Sequence, residues 1–453
     1  MTVATACVWF PWLACSAASA KMLSVTWMPG FSAPGTPARY DKVGVLKIGP
    51  SQARNVLVLE PGTSAGSGYF VPLAEWLVSK VKGWQVWSVE RRENLLEDQS
   101  VFNLAKQHRA SNQRVFNYYL GWLTNANIKH HIQTVPDSEV PFARKWGLNV
   151  AVQDLHSVIG AAGKLGGKVV LGGHSLGGSV VTAYATWNFA GRPGADELAG
   201  LVYDDGASIG PPVTAQDARQ SLHTLQTSTP WLAFSGVPAP FLGLYSTSGS
   251  LGALLASNAP SIGQTFKLLP AALKPPVRVT NLAIFGYDVD VKTSKLVFAA
   301  QAHVGHLDTS FSPARWSRGS AITPVRRYAT MLSGLNVNNA DGSEWYFPQR
   351  LTDDTGAIGN GIANPAQHVL DVHATMGRHL PRRLLMYAFG AYGGKVIVQA
   401  TQALARQSHI PMRNLTLVNR HRSYAHNDPA AAYPHNVFFT HLVAFLHGVS
   451  GQR

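Results

Sequence analysis

The feature that most constrains the fold is the run Lys168-Val-Val-Leu-Gly-Gly-His-Ser-Leu-Gly-Gly178. An apolar β-branched stretch, Val169 to Leu171, runs straight into Gly173-His174-Ser175-Leu176-Gly177, and a segment of helical character, Ser179 to Asn188, follows. Strand, sharp turn and helix in that order predict a nucleophile elbow with Ser175 at its tip. So tight a turn leaves no room for large side chains two positions either side of the serine, a need that Gly173 and Gly177 meet. The competing reading is a glycine-rich strand-to-helix turn with an exposed serine, so partners for Ser175 must be sought elsewhere in the chain.

A serine hydroxyl is a poor nucleophile until a histidine takes its proton and a carboxylate orients that histidine. The chain has 17 histidines, so position rather than abundance selects one. Near the C-terminus Arg413 to Arg420 reads as a strand, and Asn436 to Leu446 has helical apolar spacing. His426 lies in the loop Ser423-Tyr-Ala-His-Asn-Asp-Pro429 between them. His435, His441 and His447 lie on or beside the closing helix and are expected at the surface. Earlier, the strand Asn55 to Glu60 opens into Pro61-Gly-Thr-Ser-Ala-Gly-Ser-Gly68, and a helix from Tyr69 to Val81 follows. This loop lacks the Gly-Lys-Ser/Thr ending of a phosphate-binding P-loop.

Taken in order, and each at a strand end, Pro61-Gly-Thr63, Gly173-His-Ser-Leu-Gly177 and His426 resemble the α/β-hydrolase superfamily. The resemblance covers roughly Tyr40 to Asp205 and Arg382 to Leu446. It implies an α/β fold: a mostly parallel sheet with helices on both faces and the site at the carboxyl ends of the strands. It implies His426 as the base. It also implies an oxyanion hole from the backbone amides of Leu176 and Thr63, with Ser64 as the alternative to Thr63. The acid departs from the family pattern. Its usual loop follows the strand Arg382 to Gly390, and here reads Ala391-Tyr-Gly-Gly394 with no carboxylate.

One strand earlier, Gly200-Leu-Val-Tyr-Asp-Asp-Gly206 ends in two aspartates, a place where some lipases of this superfamily carry the acid. Asp205, next to a glycine that lets the backbone turn, is the expected acid, and Asp204 is its alternative. Adjacent strand residues point to opposite faces, so only one of them can face His426. Ile284-Phe-Gly-Tyr-Asp-Val-Asp290 imitates a strand followed by an acid, but choosing Asp288 or Asp290 leaves the later strands surplus. The expected activity is a serine hydrolase cleaving carboxylic esters through an acyl-enzyme. Ser175 argues against an Asp nucleophile of the dehalogenase type. An acyltransferase or peptidase uses the same triad and stays open. A non-catalytic binding protein on a hydrolase scaffold is the alternative suggested by the missing carboxylate.

Residues 207–381 are far too many for a connection, which typically spans ~4–6 residues. They are expected to form a cap inserted between the core halves 21–206 and 382–453. Within the insertion, Trp231 to Leu255 carries no charged residue. It is read either as a lid forming an apolar acyl pocket over Ser175 or as cap residues burying one another. At 46% hydrophobic and 14% charged residues, the chain can build one large core plus a cap. The net charge of +14 implies at most weak association with anionic surfaces, and no nucleic-acid motif accompanies it. The partner expected is a small-molecule or lipid-like ester, with oligomeric state left open.

No cofactor is implied. The histidine pairs His130-His131 and His303-Val-Gly-His306 lack a completing ligand set for a metal. Glu90-Arg91-Arg92-Glu93 is either an ion-paired buttress of the site or a solvated turn. Residues 1–20 hold both cysteines, Cys7 and Cys15, and end Ala17-Ala-Ser-Ala20, a small-residue cleavage pattern. They predict a signal segment without its basic start, hence a secreted or cell-envelope protein. The stretch is short and interrupted by Pro11, against a spanning helix.

Overall fold

Alternation of apolar side chains along successive strands builds the centre of the molecule. The structure is a computed structural model that describes residues 22–234, 236–295 and 300–451. The predicted signal segment, with Cys7 and Cys15, lies outside the described residues. Eight strands form one sheet: β1 (Thr26–Pro29), β2 (Lys42–Ile48), β3 (Asn55–Glu60), β4 (Trp84–Glu90), β5 (Val169–His174), β6 (Gly200–Asp204), β7 (Leu385–Gly390) and β8 (Leu415–Asn419). Their order across the sheet is β8-β7-β6-β5-β3-β4-β2-β1. Only β2 runs against the others. This is the α/β-hydrolase fold.

The helices that matter for the site are α1 (Val71–Lys80), α2 (Leu148–Gly163), α3 (Leu176–Thr186), α4 (Ala239–Leu255), α5 (Asn281–Val289), α6 (Val325–Ser333), α7 (Lys395–Gln407) and α8 (Val437–Gly451). The period of two along β3 sends Leu57 and Leu59 into a layer with Leu73 and Leu77 of α1 and Leu442 and Leu446 of α8. Val56 and Val58 enter the opposite layer, with Val152 and Leu155 of α2 and Val180 of α3. Both faces are therefore covered, which is why the central strands read as near-continuous apolar runs. The register sets Glu60 beside Gly173, His174 beside Asp204, and Asp204 beside Phe389. The carboxyl ends of β3, β5, β6 and β7 thus lie level, where loops can converge.

Residues 207–381 leave the sheet after β6 and return at β7, and they pack on both faces. Helices α4, α5 and α6 join the layer of α1 and α8 through Leu244, Leu251, Phe285 and Tyr328. Shorter helices at Ala215–Thr227, Gln349–Thr355 and Pro365–Leu370 join the layer of α2 and α3 through Ala218, Leu351, Ala366 and Leu370. The stretch Ile284 to Val289 lies in α5 and not in a strand, and Asp290 caps its end. Thr280 caps this helix by accepting from the Ala283 amide, and the helical period outweighs the apolar run. Among the described residues no helix is long and apolar enough to cross a membrane.

Two glycine substitutions test the packing. A Cβ on Gly206, just past β6, would lie 1.9 Å from the Ser175 carbonyl oxygen. Gly206→Ala is expected to lower stability by about 1–3 kcal/mol. Gly160, exposed on α2, has nothing within 4 Å of such a Cβ. Gly160→Ala is expected to raise stability by about 0.5–1 kcal/mol. Urea midpoints of the two variants check both signs.

Candidate active site

Ser175 sits at φ 56°, ψ −126°, between the end of β5 and the start of α3. For a residue with a side chain this backbone is strained and needs enforcement by its surroundings. A Cβ on Gly173 would approach the Gly177 carbonyl carbon to 2.4 Å, and one on Gly177 would approach the Glu60 carbonyl oxygen to 2.2 Å. The elbow therefore admits only glycine at the two flanking positions.

His426, in the loop between β8 and α8, is brought to the same end of the sheet. Its Nδ1 lies 2.6 Å from Asp205 Oδ2, with the two side chains 3% and 0% exposed. The other carboxylate oxygen of Asp205 accepts from the amides of Ala391 at 2.7 Å and Gly393 at 2.9 Å. So the turn after β7 that carries no carboxylate instead donates two amides to the carboxylate one strand earlier. Asp205 itself turns into the left-handed region, φ 46°, which aspartate tolerates better than most residues.

Asp204 does not share this role. Both of its carboxyl oxygens are buried without a hydrogen-bond partner among the described residues. Burial, and then the neighbouring Asp205 charge, push its pKa well above the ordinary carboxyl range. Asp290 is likewise committed elsewhere: its Oδ2 accepts from the amides of Val304 and Gly305, its Oδ1 from that of Lys292.

The histidine loop is held from two sides. Tyr69 donates its hydroxyl to Asn427 Oδ1 at 2.8 Å, and His174 Nε2 lies 3.0 Å from the His426 carbonyl. Burial, then the neighbouring His426, hold the His174 pKa well below its usual value, so the ring is neutral. A carbonyl only accepts, so His174 carries its proton on Nε2. On the other side, Asp428 accepts from the Ala425 amide, from Thr323 Oγ1, and from His303 through both its amide and its Nδ1. The Asn427 amide donates to the Gln301 carbonyl. The motif's own variable residue, His174, and the insertion residues His303 and Thr323 thus help position His426. No local pattern in the sequence identifies them, because each acts across more than 100 residues.

The loop after β3 lies against the elbow: a Cβ on Gly62 would lie 2.9 Å from Ser175 Cβ. Thr63 and Ser64 line the space above Ser175, and Leu176 opens α3, so its amide has no acceptor within the helix. Arg91 fixes this loop from below. It donates to the carbonyls of Pro61, Gly62 and Ala65 and is ion-paired with Glu60 at 2.9 Å and Glu344 at 2.7 Å. Arg92 pairs with Asp41 and Asp154. The turn Glu90 to Glu93 is buried rather than solvated, so the ion-paired buttress is the arrangement present. Burial pushes the carboxyls of Glu60 up to about 7 and Glu90 up to about 8.

A cavity of about 210 Å³ opens above these groups, and Thr63, Ser175 and His426 all line it. Its walls are mostly apolar, with Phe116, Phe234, Phe266, Ile284 and Phe285 among them. From Trp231 to Leu255, Phe234 and one face of α4 line it, whereas Trp231 packs edge-on against Tyr346. Phe116 comes from a helix at Asn112–Tyr119 that the sequence reading did not connect with the site. Among the described residues no group of three or more His, Cys, Asp or Glu could hold a metal.

No family model and no curated protein matches the chain. Solved structures resemble it in fold. A thermophilic esterase from Thermogutta terrifontis is 13% identical, covers 94% of this chain and 99% of its own, and has a TM-score of 0.39. A monoacylglycerol lipase of Paleococcus ferrophilus is 13% identical over 90% of this chain and 99% of its own, TM-score 0.37. A soluble variant of monoglyceride lipase from Saccharomyces cerevisiae is 10% identical over 96% and 98%, TM-score 0.39. Likenesses this distant do not identify a substrate.

Arg91→Lys keeps the charge but loses the planar fork that spans the loop carbonyls and two carboxylates. A loop displaced by about 1 Å is expected to cost up to about 100-fold in kcat, measured on any ester the wild type turns over. A second test concerns Glu90, which accepts from the Ser67 amide and hydroxyl. Its pKa rises from an ordinary 4.5 to about 8 on folding. The folded state therefore holds that proton more tightly than the unfolded state, and stability falls as pH rises through this window. The buried Lys106, lowered to about 8, contributes with the opposite sign only at the top of this window, and Glu60, raised to about 7, shares the decline. Glu90→Gln should flatten the decline in melting temperature between pH 5 and pH 8.

Proposed function

We propose that this chain is a serine hydrolase that cleaves carboxylic esters. The observation that carries the proposal is that His426, paired with the buried Asp205, lines the same cavity as Ser175 at the tip of its elbow. In the proposed reaction Ser175 Oγ attacks the ester carbonyl and passes its proton to His426 Nε2. Asp205 holds the Nδ1–H and stabilises the imidazolium. The amides of Thr63 and Leu176 receive the oxyanion, each worth on the order of 3 kcal/mol. Collapse of the tetrahedral intermediate expels the alcohol, which takes the proton from His426. Water then attacks the acyl-enzyme by the same route in reverse, releasing the acid and restoring Ser175.

The apolar cavity favours an ester with a hydrocarbon portion over a peptide. Acyl transfer uses the same groups and differs only in the acceptor that replaces water. A non-catalytic scaffold was suggested by the missing carboxylate after β7; the Asp205 carboxylate beside His426 supports the catalytic reading instead. Export after cleavage near Ala20 belongs to the same proposal and rests on the Ala17-Ala-Ser-Ala20 pattern alone.

Hydrolysis of p-nitrophenyl esters from acetate to palmitate tests the reading. Ser175→Ala should abolish turnover and labelling by a fluorophosphonate probe. Asp205→Asn should lose about 10⁴-fold in kcat, and Asp290→Asn should retain turnover. Turnover that survives Ser175→Ala, or wild-type protein inert to both esters and probe, would overturn the assignment.

A further inference from the structure

The cavity above Ser175 is not uniformly apolar. From α5 it is lined by Asn281, Ile284, Phe285, Asp288 and Val289, the i, i+3, i+4, i+7, i+8 spacing of one helix face. A face built only to hold a hydrocarbon would be apolar at all five positions. Among the described residues that line the cavity, Asp288 is the one Asp, Glu, Lys or Arg. Its Oδ2 accepts from the Tyr245 hydroxyl of α4. Its Oδ1 is buried and has no partner among the described residues, and the residue as a whole is 4% exposed.

A second unpartnered buried oxygen lies nearby in the fold. Ser248 Oγ, one turn beyond Tyr245 on α4, also lines the cavity and has no partner among the described residues. On the same helix a Cβ at Gly249 would meet nothing within 4 Å, so the helix flanks open space there. Buried polar atoms are nearly always satisfied, and those that line an open cavity are completed by what enters it, a ligand group or water. Tyr245 fixes one carboxyl oxygen and thereby aims the other.

Resting on the ester-hydrolase reading, we propose that Asp288, with Ser248, forms a polar subsite that receives a hydroxyl group carried on an otherwise apolar chain of the substrate. Burial raises the Asp288 carboxyl to about 7, so near neutrality it is present both as carboxylate and as acid. A hydroxyl donates to the first and accepts from the second. An ammonium group suits only the carboxylate, and a carbonyl only the acid. Asp288 does not pair with His426 and has no part in the proton transfers. Its effect is on which ester is selected.

The test compares p-nitrophenyl ω-hydroxyalkanoates with alkanoates of equal heavy-atom count, across chain lengths. Each result is read as a ratio of kcat/KM within one variant, so a general loss of turnover cancels. The wild type should favour the hydroxylated ester at least about 10-fold at one or more lengths, because a site built for a hydroxyl rejects the analogue lacking it. Asp288→Leu should bring the ratio to one or below, and Asp288→Asn, which still pairs with a hydroxyl, should keep it above one. A wild-type ratio near one at every length, or a ratio unmoved by Asp288→Leu, overturns the proposal. If Asp288→Leu does not fold, the wild-type ratio decides alone. Failure to cleave even p-nitrophenyl acetate would instead sink the ester-hydrolase reading. The subsite is then judged by calorimetric binding of the same ester pairs to Ser175→Ala, with tighter binding of the hydroxylated member expected and equal binding overturning it.

Discussion

The carboxylate of Asp205 is the interaction on which the site depends. It is fully buried, and a buried carboxylate is tolerated only when its oxygens are satisfied. Three donors satisfy it: His426 Nδ1 and the amides of Ala391 and Gly393. They come from the histidine loop and from the turn after β7, while Asp205 itself lies just past the end of β6. One side chain thus ties three chain segments at the carboxyl edge of the sheet. The arrangement demands a turn after β7 with amides bared toward Asp205. Gly394 takes φ 55°, ψ −129°, close to the backbone of Ser175, and a Cβ on Gly390 would lie 2.0 Å from the Gly394 carbonyl oxygen. The turn is a second elbow, built of glycine where the first carries serine.

The buried charge around Arg91 is the second constraint. Replacing such a network with apolar groups is often neutral or stabilising, so its presence is weak grounds for stability. Its geometric consequence is specific: three carbonyls of the loop after β3 converge on one guanidinium. Glu344, from the insertion, completes the ion pairing. With His303 and Thr323 on Asp428, the insertion supports both the proposed oxyanion loop and the histidine loop. A cap that only covered the cavity would not be bonded to both.

The polar subsite around Asp288 belongs to the same insertion. In the proposed reading, supports for the chemistry and selection of the substrate come from residues 207–381, while Ser175, His426 and Asp205 lie at the ends of the sheet strands. A division of this kind lets one scaffold serve different esters by exchange of the inserted helices alone.

Local sterics made the elbow legible from the chain alone, because strand, glycines and helix are contiguous and their clashes are short-range. The strand that precedes the histidine loop was legible from its own apolar run, whereas the order of the strands across the sheet came only from the tertiary structure. The proposed acid, Asp205, was read from its place at the strand end beside Gly206, with Asp204 as the alternative; strand parity said only that one of the two could face His426, and the structure puts Asp205 in the turn just past the strand. The helical state of Ile284 to Val289 was missed because a short apolar run has no decisive period, and capping by Thr280 with packing on α4 selects the helix. The burial of Glu90 to Glu93, the wrapping of the insertion over both faces, and the supports from His174, His303 and Glu344 were decided only by tertiary structure. Each pairs groups far apart in sequence, and burial of a charge depends on what the rest of the chain places over it.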